Sequence, residues 1–322
     1  MNQFTILPLT RNCPNMLSFA QRHLGGFPKM HKAAQAVHKV VQRAVWVALD
    51  AGETLLGAKG PLIPPRRLMN VGSNEFTRSD FNRIGGELFE RLVAIGGLQP
   101  HDKVLDVGCG VGRIAIPLTR YLSVQGSYDG FDIVAESIEH CAKAYHSRFK
   151  QFHFHHADLF NTTYNPGGRY LSHEYTFPFA DQSFSFVFLT SVFTHILSQG
   201  IENYLREIRR VLAPGGRCFI TYFVLNEYSE QTIDSGKAAL AFTHPIDHGK
   251  STHVDQPEAA VAFDEAYIRQ IYRETGLDIV EPIRYGCWSG RSSAVGYQDI
   301  VVAVKGDADQ RRGGAPQATR IA

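Results

Sequence analysis

The clearest chemical signal in the chain lies between Val104 and Arg113, VLDVGCGVGR. An apolar strand pattern carrying an acid at Asp106 runs into three alternate glycines, Gly108, Gly110 and Gly112, and then into a helical pattern with Ile114, Ile116 and Leu118. Glycines at the end of a first strand let a ligand reach bare backbone, because no Cβ stands in the way. A dinucleotide loop has the spacing GxGxxG, but here Arg113 stands where its third glycine would be. No GKS or GKT follows the glycines, so the phosphate cradle of a P-loop is absent as well. Asp106 repels a pyrophosphate and suits a cation. The expected chemistry is capture of a phosphate-free ligand. A plain tight turn is the simpler alternative, and three glycines behind an acid make it the weaker one.

The elements that must position this loop follow from periodicity. Strand patterns occur at Val104 to Val107, Gly130 to Ile133, Phe152 to His156, Phe184 to Thr190, Cys218 to Phe223, Ile279 to Ile283 and Ile300 to Val304. Helical stripes separate most of them. One carries Leu88, Phe89, Leu92 and Val93; another carries Ile201, Tyr204, Leu205, Ile208, Val211 and Leu212 and stops at Pro214-Gly215-Gly216. A third, Ala266 to Thr275, stops at Gly276. This alternation predicts an α/β fold, a Rossmann-like doubly wound seven-stranded sheet. No helical period links Ile283 to Asp299, so the last strand is expected to insert antiparallel. Val37, Val40, Val41, Ala44, Val45, Ala48 and Leu49 mark an amphipathic helix, halted near GPLIPPRR (Gly60 to Arg67). The expected organisation is an N-terminal helical extension or cap over residues 1–75, one domain over 76–305 and a disordered tail over 306–322.

Composition narrows the class. Lys plus Arg is 33 and Asp plus Glu is 31, a net charge of +2, too balanced to imply a nucleic-acid partner by itself. Residues 1–67 hold nine basic and two acidic side chains. Five scattered cysteines without a CxxC argue for a reducing compartment and against a disulfide framework or zinc ribbon. No uncharged apolar run approaches the ~18 residues needed to cross a membrane. A secretory signal is not evident at the N-terminus, so a cytoplasmic location is expected.

The segment DVGCGVG resembles the first motif of the class I S-adenosylmethionine-dependent methyltransferases, in their small-molecule branch. Later segments agree in order: YDGFDI ending at Asp132 and Ile133, HADLF (His156 to Phe160), FPFADQSFSFVFLTSVFTHI (Phe177 to Ile196), and EIRRVLAPGG followed by RCFITYF (Glu207 to Phe223). The resemblance implies that S-adenosylmethionine is the cofactor, held by Asp106, Gly108, Cys109, Gly110, Gly112, Asp132, Ile133, Asp158, Leu159 and Thr190. Within that set it implies that Asp132 accepts from the ribose hydroxyls, that Asp158 bonds the adenine amino group and that Leu159 offers a backbone amide. Ser185 departs from the family, which usually has Asp there; inside a strand, the departure bears on packing more than on the cofactor.

Methyl transfer is an in-line displacement, so much of its catalysis is positioning of donor and acceptor ~3–3.5 Å apart. A hydroxyl acceptor also needs a base. His195, after the fourth strand, is the candidate base, since an unperturbed imidazole titrates near pH 6.5; the alternative is a structural histidine. Tyr222, Asn226, His244, Trp288 and Arg291 are candidate acceptor contacts, and His248 and His253 share the insert with His244. No metal is expected, because neither these histidines nor His153 and His155 show a tight ligand spacing. The expectation is an S-adenosylmethionine-dependent methyltransferase acting on a small or medium organic acceptor, preferably at oxygen, in biosynthesis. It has no nucleic-acid partner and no transmembrane segment, and the N-terminal helix is available for homo-oligomer contacts. A non-catalytic cofactor-binding protein is one rival. An RNA methyltransferase is another, disfavoured because the chain reads LTSV (Leu189 to Val192) where an NPPY-like tetrapeptide would stand. Arg113 disfavours a nicotinamide oxidoreductase.

Overall fold

The computed structural model describes residues 44–57, 60–69 and 77–306. The start of the expected amphipathic helix (Val37, Val40 and Val41) and nearly all of the expected tail lie outside the described residues.

The central sheet has seven strands: β1 (Lys103–Val107), β2 (Ser127–Asp132), β3 (Phe152–His156), β4 (Phe184–Leu189), β5 (Leu212–Tyr222), β10 (Leu277–Ile279) and β11 (Asp299–Lys305), in the order β10-β11-β5-β4-β1-β2-β3. Strands β1 to β5 run parallel, and β11 pairs antiparallel with both β5 and β10. The expected antiparallel last strand is therefore present. The order in which strands are added reverses between β1 and β4, which places a crevice at the carboxyl ends of these two parallel strands.

The alternating side chains of each strand split the core in two. Leu105, Val107, Val187, Leu189 and Ile220 face α5 (Ser198–Val211) and α7 (Glu265–Thr275). Val104, Phe186, Phe188 and Phe219 face the other way, against Leu92 of α2 (Arg78–Ala94) and Ala115 and Leu118 of α3 (Ala115–Tyr121). The α5 stripe buries Ile201, Tyr204, Leu205, Ile208 and Val211 as expected. Leu212 instead opens β5. The Pro-Gly-Gly turn forms a bulge at the strand's start, where the register against β4 shifts between Phe184 and Phe186. At the far edge the regular ladder covers Leu277–Ile279 rather than Ile279 to Ile283, and pairing with β11 returns as a single bridge between Arg284 and Ile300.

The link from β3 to β4 contains no helix. Tyr175, Phe177 and Phe179 fill that space, packing their rings on Phe131. Arg210 holds the segment, donating to the carbonyls of Phe179 (2.8 Å) and Phe177 (2.9 Å). Ser185 has a structural role: its hydroxyl donates to Asp102 Oδ1 at 2.7 Å and accepts from the Lys103 amide at 2.9 Å.

Two additions flank the sheet. The segment after β5 forms a second, four-stranded sheet that the sequence patterns did not reveal, with β6 (Val224–Leu225), β7 (His244–Ile246), β8 (Gly249–Ser251) and β9 (Val261–Asp264) in the order β6-β9-β8-β7. Its strands are two to four residues long, too short for an alternation to stand out. On the other side, residues 44–55 are helical (α1), with Val45, Val47 and Leu49 exposed. Asp50 and Glu53 of α1 pair with Arg66 (3.1 and 2.6 Å), and Asp50 pairs with Arg78 (2.7 Å). Met69, Phe81 and Val111 then pack together, which brings this N-terminal region onto the glycine loop. Arg67 pairs with Glu136 in the first turn of α4 (Ala135–Tyr145).

Candidate active site at the carboxyl ends of the strands

The glycine loop leaves β1 at Val107 and turns under the end of β2. The amides of Gly108 and Cys109 donate to the Phe131 carbonyl at 2.8 and 3.1 Å. Gly108 sits at φ +80°, and a Cβ there would come within 2.4 Å of Val192. Gly110, at φ +52°, faces open space, with nothing within 4 Å of where a Cβ would be. A bare backbone cradle therefore lies open at the centre of the crevice.

Asp132 locks this loop to β2. Its Oδ2 accepts from the Gly110 amide and its Oδ1 from the Val134 amide, both at 2.8 Å. Each carboxylate oxygen has two lone pairs, so one on each is left for a diol. Burial raises the Asp132 carboxyl above its ordinary range, against the pull of those amides. Asp106 is only 2% exposed. Its Oδ2 accepts from the Tyr128 hydroxyl at 2.7 Å, while its Oδ1 is buried with no hydrogen-bond partner. A buried orphan acceptor beside an open backbone cradle fits a ligand that brings a positive charge and no phosphate. Ile133 is half-buried and packs against the core below.

Further along the edge, Asp158 Oδ1 accepts from Asn165 Nδ2 at 3.3 Å. The Leu159 amide turns back onto the Ala157 carbonyl at 2.8 Å. Thr190 follows the end of β4, half-buried. The next residue, Ser191, takes φ 61°, its amide donating to Thr221 Oγ1 (2.8 Å) and its hydroxyl to Gln298 Oε1 (3.0 Å).

His195 lies beyond that turn. Its Nδ1 is 2.9 Å from the Glu258 carbonyl oxygen. A carbonyl only accepts, so Nδ1 carries the hydrogen, and in the neutral ring Nε2 is the basic nitrogen. Burial lowers the ring's pKa, which keeps it neutral and able to take a proton at pH 7. The Tyr164 ring stands edge-on to it at 5.7 Å, and Asn161 reaches its backbone carbonyl at 3.4 Å. Glu258 also lines a cavity of about 560 Å³, together with Phe160, Leu171, Leu197, Ile246 and Asp247 among others; His195 itself is not in its lining. That volume suits a small or medium organic molecule.

The expected acceptor contacts divide. Tyr222 and Trp288 are corrected: both are 0% exposed. The Tyr222 hydroxyl meets that of Tyr272 at 3.1 Å, and Trp288 Nε1 donates to Asp299 Oδ2 at 2.7 Å. Fully buried rings offer no surface to an acceptor. Asn226 caps α6 (Glu227–Asp234), accepting from the Ser229 amide at 3.1 Å. Its Oδ1 also receives Arg291 at 3.4 Å, whose guanidinium lies 3.9 Å from the Tyr228 ring and 4.4 Å from that of Tyr285. His244 lies half-buried in β7, paired with Ser251 of β8. Among the described residues, no group of three or more His, Cys, Asp or Glu is arranged to hold a metal. Among the described residues, Cys109, Cys141 and Cys218 are free and buried.

Three partners escaped sequence reasoning. Tyr128 pairs with Val104 in the ladder, and its hydroxyl reaches Asp106 two residues along, a diagonal that only the strand pairing creates. Tyr164 and the Glu258 carbonyl likewise carry no signal in the sequence, because a backbone carbonyl is invisible there and both reach His195 only through the fold.

A family model described as a methyltransferase domain matches residues 104–216. A 23S rRNA (uracil(1939)-C(5))-methyltransferase of Photorhabdus laumondii is 28% identical over 141 residues, covering 42% of this chain and 31% of its own length, so the chain spans under a third of that relative. Among solved structures, an S-adenosylmethionine-dependent methyltransferase from Aquifex aeolicus is 18% identical at a TM-score of 0.45, covering 71% of this chain and 99% of its own. A 1,6-didemethyltoxoflavin-N1-methyltransferase of Burkholderia thailandensis, solved with S-adenosylhomocysteine, is 15% identical at a TM-score of 0.44, covering 89% and 93%. The glycine loop, β1 from Val104 onward and strands β2 to β4 fall inside the matched residues, so residues 104–216 are those of a methyltransferase domain.

Proposed function

We propose that this protein transfers the methyl group of S-adenosylmethionine to a hydroxyl of a small or medium organic molecule, in a cytoplasmic biosynthetic pathway. When bound, the cofactor supplies an activated methyl on a good leaving group. The chain's own residues do the rest. Asp132 is offered to the ribose diol, Asp158 to the adenine, and the loop from Gly108 to Gly112 gives backbone access. His195 Nε2 takes the acceptor's hydroxyl proton as the new bond forms.

The observation that carries this reading is the His195–Glu258 contact. It leaves Nε2 as the basic nitrogen of a ring whose partner, Glu258, also lines a cavity of a size that suits an organic acceptor. The test is incubation with methyl-labelled cofactor and a fractionated metabolite extract. The expected result is one small compound that gains a single methyl, with the gain lost in His195→Ala. Labelling confined to RNA would overturn it.

RNA methylation is the second reading, supported by the partial similarity to the 23S rRNA enzyme. Against it, the cavity that Glu258 lines also has Asp247 in its lining and neither lysine nor arginine, a poor surface for a phosphate backbone.

A further inference from the structure

Asp106 differs from the other acids of the crevice in how its two oxygens are served. Oδ2 has the Tyr128 hydroxyl at 2.7 Å, and Oδ1 is buried with no hydrogen-bond partner. An ionised carboxylate in that position would hold charge on an oxygen that nothing donates to, in surroundings from which water is excluded.

The groups facing it come from every neighbouring element. They are Tyr128 and Asp132 of β2, Cys109 of the glycine loop, Arg113 at the entry to α3, and Cys141 and Tyr145 of α4. The Tyr128 hydroxyl and the Arg113 guanidinium favour the ionised form; burial and the Asp132 carboxylate oppose it. The two thiols and the Tyr145 hydroxyl are pushed upward by burial, so they stay neutral and bring no positive charge. Burial prevails, and the carboxyl is held up at about 8.

We propose that Asp106 is a carboxylic acid in the free protein at neutral pH and gives up its proton when the cationic cofactor enters the crevice, so that cofactor capture releases one proton to solvent. The inference rests on the cofactor reading above. The balance is simple: the carboxyl O–H bond breaks, the proton leaves to the buffer, and the carboxylate that remains faces the positive charge the ligand has brought. Capture then strengthens as pH rises toward 8, which makes the loading of this site sensitive to pH in the physiological range.

The test is calorimetric titration of the full chain with S-adenosylmethionine at pH 7, in phosphate and in Tris, whose ionisation enthalpies differ widely. The expected result is a binding enthalpy that differs between the two buffers in the direction of proton release, by up to one proton per cofactor bound. Affinity is expected to rise roughly tenfold per pH unit from pH 6 and to level off above pH 8. Asp106→Asn should abolish the release and flatten the profile. Tyr128→Phe removes the hydroxyl that favours the carboxylate, so it should move the levelling point to higher pH. Binding whose enthalpy is the same in both buffers, or a Tyr128→Phe profile that does not move, overturns the proposal and leaves the cofactor assignment standing. No binding at any pH overturns both.

Discussion

His195 Nδ1 donates to the Glu258 carbonyl at 2.9 Å, so a residue of the central sheet's fourth crossover is held by one from the small second sheet's approach. That bond sets which ring nitrogen is basic. His195→Ala should cut turnover at least a hundredfold, the lower end of what general-base catalysis contributes, with cofactor affinity unchanged by calorimetry. Near-normal turnover would remove it as the base.

The same residue sets a pH limb. Burial depresses the His195 pKa, so the ring is neutral above its folded value and gains a proton only as pH falls through it. Turnover should therefore hold at pH 7 and fall on the acid side below about pH 6.5. Because the folded value lies below the unfolded one, protonation also costs folding stability as pH falls. A rate profile whose acid limb lies above that pH would contradict the placement.

Asp132 joins the glycine loop to the start of α4 through two amides at 2.8 Å. Asp132→Ala should weaken S-adenosylmethionine binding by roughly 10- to 100-fold, the size expected when hydrogen bonds to a charged group are lost. Unchanged affinity would refute its assignment to the ribose.

Asp299 pins the second sheet to the first. Its carboxylate receives the Val224 amide (2.7 Å), the Gly286 amide (2.6 Å) and Trp288 Nε1 (2.7 Å). Burial still pushes it up to about 7. A folded pKa above the unfolded value of about 4 means that folding resists ionisation: the contribution is complete below pH 4 and is lost as pH rises to 7, by up to roughly 1.4 kcal/mol per unit. Asp299→Asn should remove that slope from denaturant-unfolding stability between pH 4 and 7. An unchanged slope would show that Asp299 is ionised throughout.

Much of this was legible in the sequence. The apolar residues of β1, β4 and α5 alternate or recur at the period of their element, so the sheet, its crossovers and the antiparallel end could be read directly. The site was legible where chemistry is local: three alternate glycines and an acid are a complete statement within seven residues. It was not legible where side chains meet through the fold. Tyr222 and Trp288 look like clamps after a strand and in a loop, yet their rings fill core space beneath the second sheet. The strands of that sheet are too short to show a period, and the Glu258 carbonyl has no residue type to announce it.

Gly108 tests the loop's geometry. At φ +80°, with Val192 2.4 Å from where a Cβ would stand, Gly108→Ala meets both backbone strain and a clash. It should destabilise the fold by roughly 1–3 kcal/mol and weaken cofactor binding. Adding Val192→Ala should recover only part of the loss, since the backbone strain remains. Full recovery would mean that the clash alone constrains the loop.

The most direct trial of the whole account is to titrate the full chain with S-adenosylmethionine and, separately, with ADP. A phosphate-free crevice with an open Gly110 and a buried acid should take the sulfonium nucleoside in the micromolar range and leave the diphosphate in solution. Tight binding of ADP with none of S-adenosylmethionine would contradict it.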